Sequence, residues 1–203
     1  MLLLNVTNAP APRAAAPKPP VPQAPGRDEV FNYNPQDRLV MTTETRVIPN
    51  VRKGDLGPSN DHVMLREQLE KVNDHYVYAD DDPRQNSALA FANAAVTINS
   101  FLEVFPEPVK WAFKYDKLLV RPNCGEDFNA NYKRESGTVN FYMKDDPVRH
   151  AHVHSGASAD IVSHEVGHAL RDAIRPEYMN AWGPEPGAFH EAFGDCSAML
   201  FTL

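Results

Sequence analysis

The chain has 203 residues, with 27 Asp and Glu against 20 Lys and Arg, giving a net charge of −7. That balance argues against nucleic acid as a partner, for want of a basic patch. The length suffices for one buried core, and no apolar run approaches the length of a membrane helix. Met1-Leu2-Leu3-Leu4 is broken at Asn5 without a basic flank, which makes a poor signal peptide. The two cysteines could pair, but the expected arrangement is a loop thiol at Cys124 and a buried thiol at Cys196. Neither feature assigns a compartment.

Residues 9–25 hold seven Pro and six Ala, so residues 1–26 are expected to be extended and disordered, ahead of one folded unit over 27–203. Between residues 27 and 57, the runs Leu39-Val40-Met41 and Arg46-Val47-Ile48 predict two short strands. Residues 59–74 predict a helix capped by Ser59 or Asn60, with Val63, Leu65, Leu69 and Val72 apolar. Asp80-Asp81-Asp82 before Pro83 could hold calcium, but without the other ligands of a loop site a solvated turn is the commoner outcome. Residues 86–104 predict a helix whose broad apolar face includes Leu89, Phe91, Ala95, Ile98 and Phe101, with Pro106 beyond it. Residues 109–121 read as a strand ending at Pro122. His150, His152 and His154 alternate; on a strand they would share one face and could bind a second metal, although such a run is more often a polar loop.

The strongest signal follows. His164-Glu165-Val166-Gly167-His168 reads HExxH. Val162, Val166, Ala169, Leu170 and Ala173 recur at helical spacing around it, and Pro176 stops the helix. On that helix His164 and His168, four apart, share a face and can grip one metal ion, with Glu165 placed to reach a water on it. Gly167 is costly inside a helix, which points to a close backbone approach. Downstream, Glu191-Ala192-Phe193-Gly194-Asp195 reads ExxxD on a second helix beginning around Pro186 and Gly187. Phe189, Ala192, Phe193, Cys196 and Leu200 are expected to form its apolar face. One of the two carboxylates can bind metal while the other fixes a ligand histidine's tautomer. Two surface histidines and two solvated acids are the bland alternatives, and the pairing of the motifs makes them the weaker ones.

The run Asp160-Ile-Val-Ser-His-Glu-Val-Gly-His-Ala, with Glu185-Pro-Gly-Ala-Phe-His-Glu-Ala-Phe-Gly-Asp195 after it, resembles the thermolysin-type zinc metallopeptidases, the gluzincins. The resemblance implies a zincin-like α+β fold: a β-rich N-terminal region with a helix, then the HExxH helix, then the ExxxD helix. It implies one Zn2+ held by His164, His168 and Glu191, Glu165 as general base, Asp195 orienting a ligand histidine, and a peptide or protein substrate. More weakly, Asn129-Ala130-Asn131-Tyr132 and Gly137-Thr138-Val139-Asn140-Phe141-Tyr142 resemble the family's edge strand and the strand after it, which would put Asn129 and Ala130 beside the substrate. Taken alone, that stretch is equally an ordinary turn and hairpin. A metzincin is excluded, because Arg171 and Ile174 stand where that motif needs Gly and His.

The sequence also departs from the family. Twenty-two residues separate His168 from Glu191, slightly more than in thermolysin. The family's transition-state tyrosine corresponds to Trp182, which lacks a hydroxyl, with Tyr178 near it. Asp160 matches a family calcium ligand, but its partner carboxylates have no counterpart here, and it can equally favour a helix N-terminus. The resemblance implies a further helical half with an oxyanion-stabilising histidine after Glu191, whereas the sequence stops twelve residues on, at Leu203. The expectation is therefore a C-terminally incomplete catalytic subdomain, a truncated product or a fragment. The alternative class is a zinc-binding but catalytically inactive half acting as a structural or interaction domain.

Overall fold

The computed structural model describes residues 25–36, 41–105, 107–148 and 150–201. Among these residues, nine strands and three α-helices form a mixed α+β fold, with strands first and the two motif helices last. The Pro/Ala-rich segment up to residue 24 lies outside the described residues, as do Leu39 and Val40 of the first expected strand.

Seven strands make one mixed sheet. β1 (Arg27–Tyr33) and β2 (Glu44–Lys53) pair antiparallel, and β3 (Pro58–Ser59) and β4 (Val63–Leu65) continue in the same sense. β5 (Leu118–Arg121) runs parallel to both β4 and β7 (Thr138–Phe141). β6 (Ala130–Lys133) pairs antiparallel with β7 and closes the series as an edge. β8 (Met143–Asp146) and β9 (Ala151–His154) form a separate hairpin.

The helix expected over 59–74 is not formed. Val63 and Leu65 are fully buried while Met64 between them is half-exposed, a period of two. Asn60 does what a cap does, its Oδ1 accepting from the N–H groups of His62 and Val63 at 3.0 and 2.9 Å. Those bonds close a turn between β3 and β4 instead of starting a helix. Pairing of β4 with the distant β5 decides the matter, and local spacing could not reveal it. The strand expected over 109–121 is likewise confined to Leu118–Arg121. The two strands expected between residues 27 and 57 are there, but the first is Arg27–Tyr33, and Met41 lies in a bend.

α1 (Arg84–Val104) is the core helix. Its Phe91 meets Phe31 of β1 at 5.0 Å between ring centroids, and Ala88, Leu89, Ala95 and Ile98 are fully buried. By length and composition alone it could cross a membrane, contrary to the sequence expectation, yet 72% of its most apolar window is buried inside this fold. Ahead of it, the carboxylate of Asp82 accepts from Arg84 and that of Asp80 from Gln85, so this acidic run serves the helix start.

α2 (Ala159–Ile174) packs on α1, with Thr97 Oγ1 and Ser163 Oγ 2.9 Å apart at the crossing. Ser158 caps it by accepting from the Ile161 N–H, and Asp160 occupies its first turn. Val162, Val166, Ala169 and Leu170 are fully buried, as the periodicity requires. α3 (Pro184–Phe201) lies against α2. Its apolar face is only partly the one expected: Phe193 packs against the core, but Phe189 and Leu200 are exposed, as is Met199, and the buried positions are small residues, Gly194 and Ser197. Cys196 is consequently exposed, not buried as expected, whereas Cys124 lies in a loop as expected and is partly buried; both thiols are free. Burial pushes the Cys124 thiol above its usual range.

Candidate metal centre

The site exists because two helices touch closely. A Cβ at Gly194 would lie 2.8–3.0 Å from atoms of the His164 ring. A Cβ at Gly167 would lie 2.6 Å from Ser197 Oγ and 3.2 Å from Gly194 Cα. Real side chains do not fit at such distances, so glycine at both positions lets α3 approach until its carboxylates meet the imidazoles of α2. The expectation of a close approach at Gly167 is met; the second glycine matters as much.

His164 and His168 have ring centroids 4.5 Å apart, nearly perpendicular. Glu191 Oε2 lies 3.4 Å from His164 Nε2 and 3.8 Å from His168 Nε2. The three ligand atoms lie within 4.8 Å of one another, and no other such group of three metal-ligating residues occurs among the described residues. Two atoms each about 2.1 Å from one tetrahedral zinc lie about 3.4 Å apart, so the spacing suits such an ion with small contraction. This group could therefore bind a metal. In the other candidate cluster His152 and His154 lie on β9 with ring centroids 4.6 Å apart, but His150 precedes the strand with a φ of 50°, His152 Nδ1 bonds Asp145 Oδ1 at 2.5 Å, and no group of three forms there among the described residues.

Both imidazoles are held at Nδ1, which leaves Nε2 for the ligand. His164 Nδ1 lies 3.0 Å from Asp195 Oδ1, the orienting role expected of ExxxD. His168 Nδ1 lies 2.6 Å from Nδ1 of His190, a residue the sequence reading passed over. Its one signal in the sequence is adjacency to Glu191. Burial, with His190 and His164 adding to it, depresses His168 to about 3, so the ring is a neutral donor at any ordinary pH.

Glu165 is 7% exposed, and burial pushes its carboxyl up to about 7, against the opposing pull of His164 and of a hydrogen bond from the Tyr132 backbone N–H. Its Oε2 is buried and has no partner. A carboxyl poised near neutrality with a spare acceptor suits proton transfer to and from a water.

The β6 edge runs beside these groups. A cleft of about 860 Å³ is lined by Asn129, Ala130, Tyr142, His154 and Ile161 together with His164 and Glu165. A second, about 510 Å³, is lined by Ala130, Tyr132, His168, Tyr178, His190 and Glu191. Asn129 and Ala130 thus share a cleft with Glu165, and Ala130 belongs to both. Tyr178 reaches the site, whereas Trp182 is fully exposed and lines neither cleft. No protein-family model matches the chain, and no curated protein matches it at a meaningful level.

Proposed function

We propose that this chain is a zinc-dependent metalloendopeptidase of thermolysin-like, zincin type, hydrolysing peptide bonds in an extended peptide or protein segment. One observation carries the reading: His164, His168 and Glu191 converge beside a buried Glu165 whose Oε2 lacks a partner, at the open edge of a sheet. Two imidazoles and one carboxylate are a donor set that zinc favours. Zinc so held would supply Lewis acidity, polarising the scissile carbonyl and easing loss of a proton from the attacking water. Glu165 takes that proton at its free oxygen and passes it to the leaving amine. The β6 backbone receives the substrate as an added strand, with Asn129 and Ala130 at its start. Asp195 and His190 hold the two ligand rings in the tautomer the ion needs.

The test is a pair of measurements. Purified protein should carry about one zinc per chain, as a single three-ligand site requires. It should cleave unfolded casein in a zinc-dependent way, and Glu165→Gln should keep the zinc while losing about 10²–10⁴-fold in rate. Hydrolysis retained by a zinc-loaded Glu165→Gln protein would refute the role of Glu165. The exposed Phe189, Met199 and Leu200 on the site helix favour a second reading, a zinc-binding domain without activity of its own that docks through α3. Full zinc occupancy with no casein cleavage selects that reading.

A further inference from the structure

Behind the metal ligands lies a cation that the proposed chemistry does not use. Arg171 sits one turn beyond His168 on α2 and is 1% exposed, the largest of the fully buried side chains. Its Nε, Nη1 and Nη2 all lack a hydrogen-bond partner. The guanidinium lies 4.9 Å from the ring centroid of Tyr178 and 5.6 Å from that of Phe189. Aromatic rings satisfy the faces of a guanidinium but not its in-plane N–H groups, which require acceptors. The nearby carboxylates are committed elsewhere. Asp172 accepts from Tyr132 and Arg134, and Glu177, exposed, pairs with Arg175 at 3.7 Å.

A second orphan points the same way. His190, within electrostatic reach of Arg171, has a buried Nε2 without a partner. If His168 keeps its Nε2 lone pair for a metal, its Nδ1–H donates to His190 Nδ1, and His190 then carries its own proton on Nε2. That clause rests on the proposed metal site; the unpaired donors of Arg171 do not. The unpaired atoms that Arg171 and His190 bring to the buried region between α2 and α3 are then all donors, and buried donors without acceptors favour a negatively charged acceptor.

We propose that Arg171 binds one small monovalent anion, a halide or the carboxylate of a small acid, in the buried region between α2, α3 and the short turn carrying Tyr178. A single guanidinium charge matches one negative charge, and the in-plane N–H fork suits either a spherical halide or a planar carboxylate.

The experiment uses the full chain freed of metal with a chelator, so that failure of the metallopeptidase reading leaves the result intact. Sodium chloride or sodium formate is titrated into sodium gluconate at constant ionic strength. The melting temperature should rise saturably, by about 5 °C at high occupancy. Chloride-35 resonance should show excess linewidth that formate displaces. A response to chloride alone assigns the site to halide, and one to formate alone assigns it to carboxylates. Arg171→Met, apolar and similar in length, should fold without the anion and lose both responses; Arg171→Lys, which keeps the charge but not the fork, should bind roughly tenfold more weakly. Equal salt responses in wild type and Arg171→Met overturn the proposal. So, independently of any variant, does a wild-type melting temperature indifferent to both salts together with no displaceable chloride linewidth.

Discussion

Asp195 illustrates how much a single residue contributes without touching a ligand position. Its carboxylate accepts from the Nδ1 of His164 and so selects the tautomer whose Nε2 faces Glu191. Asp195→Ala should leave the three donors in place but weaken zinc binding by about 10–100-fold, measured by competition against a chromophoric chelator. His168→Ala, by contrast, removes a donor, and zinc should no longer be retained stoichiometrically; unchanged stoichiometry would remove His168 from the ligand set. The convergence of these residues was legible in the sequence because HExxH and ExxxD each fix two residues at one-turn spacing. The contact between His190 and His168 was not, since it joins residues twenty-two apart through the way α3 rolls against α2. The burial of Glu165, which raises its proton affinity, was equally invisible, because it comes from segments packed against α2, among them the β6 strand whose Tyr132 N–H bonds the carboxylate.

At the scale of elements, the α2–α3 contact controls the site. Gly194→Ala would gain about 1 kcal/mol of helix propensity, so helicity by far-UV circular dichroism should hold or rise. The new methyl would nevertheless stand 2.8 Å from the His164 ring, and either the ring or the helix must move. Zinc affinity should therefore fall by at least about tenfold, the least effect expected of a displaced ligand. Unchanged affinity would mean that the helices separate without cost to the metal group. α1 and α2 were legible because a long apolar stripe at helical period has one reading. The segment 59–74 was misread because Val63, Leu65, Leu69 and Val72 fit helical spacing as well as they fit a short strand followed by loop. The face of α3 was misread because its Phe and Leu residues outweigh Gly194 and Ser197 on any hydrophobicity scale, whereas helix approach is decided by size.

Across the whole molecule, Asp172 ties the sheet to the helices. It is fully buried, accepting from the Tyr132 hydroxyl at 2.8 Å and from Arg134 Nε at 2.7 Å, with a second, closer contact to Arg134 Nη2. Arg134 also donates to the Pro176 carbonyl at the end of α2. Asp172→Ala strands a partly buried guanidinium and a phenol, a loss of about 2–3 kcal/mol. For a domain of this size the melting temperature should fall by about 5–10 °C. Tyr132→Phe, which gives up one hydrogen bond, should cost about 1 kcal/mol. A drop no larger for Asp172→Ala than for Tyr132→Phe would show that Arg134 finds another partner and that the tie is dispensable.

The sequence by itself determined which three residues could hold a metal, the base candidate, the two motif helices and the core helix, because each depends on spacing along one helix or on a single apolar period. The tertiary structure alone decided which strands pair, which face of α3 is packed, the exposure of the two cysteines, the partnership of His190 with His168 and the isolation of Arg171. Each of these depends on segments far apart in the chain meeting at van der Waals distance. Close packing there is settled by side-chain volume and by where polar groups find partners, quantities that no local pattern encodes.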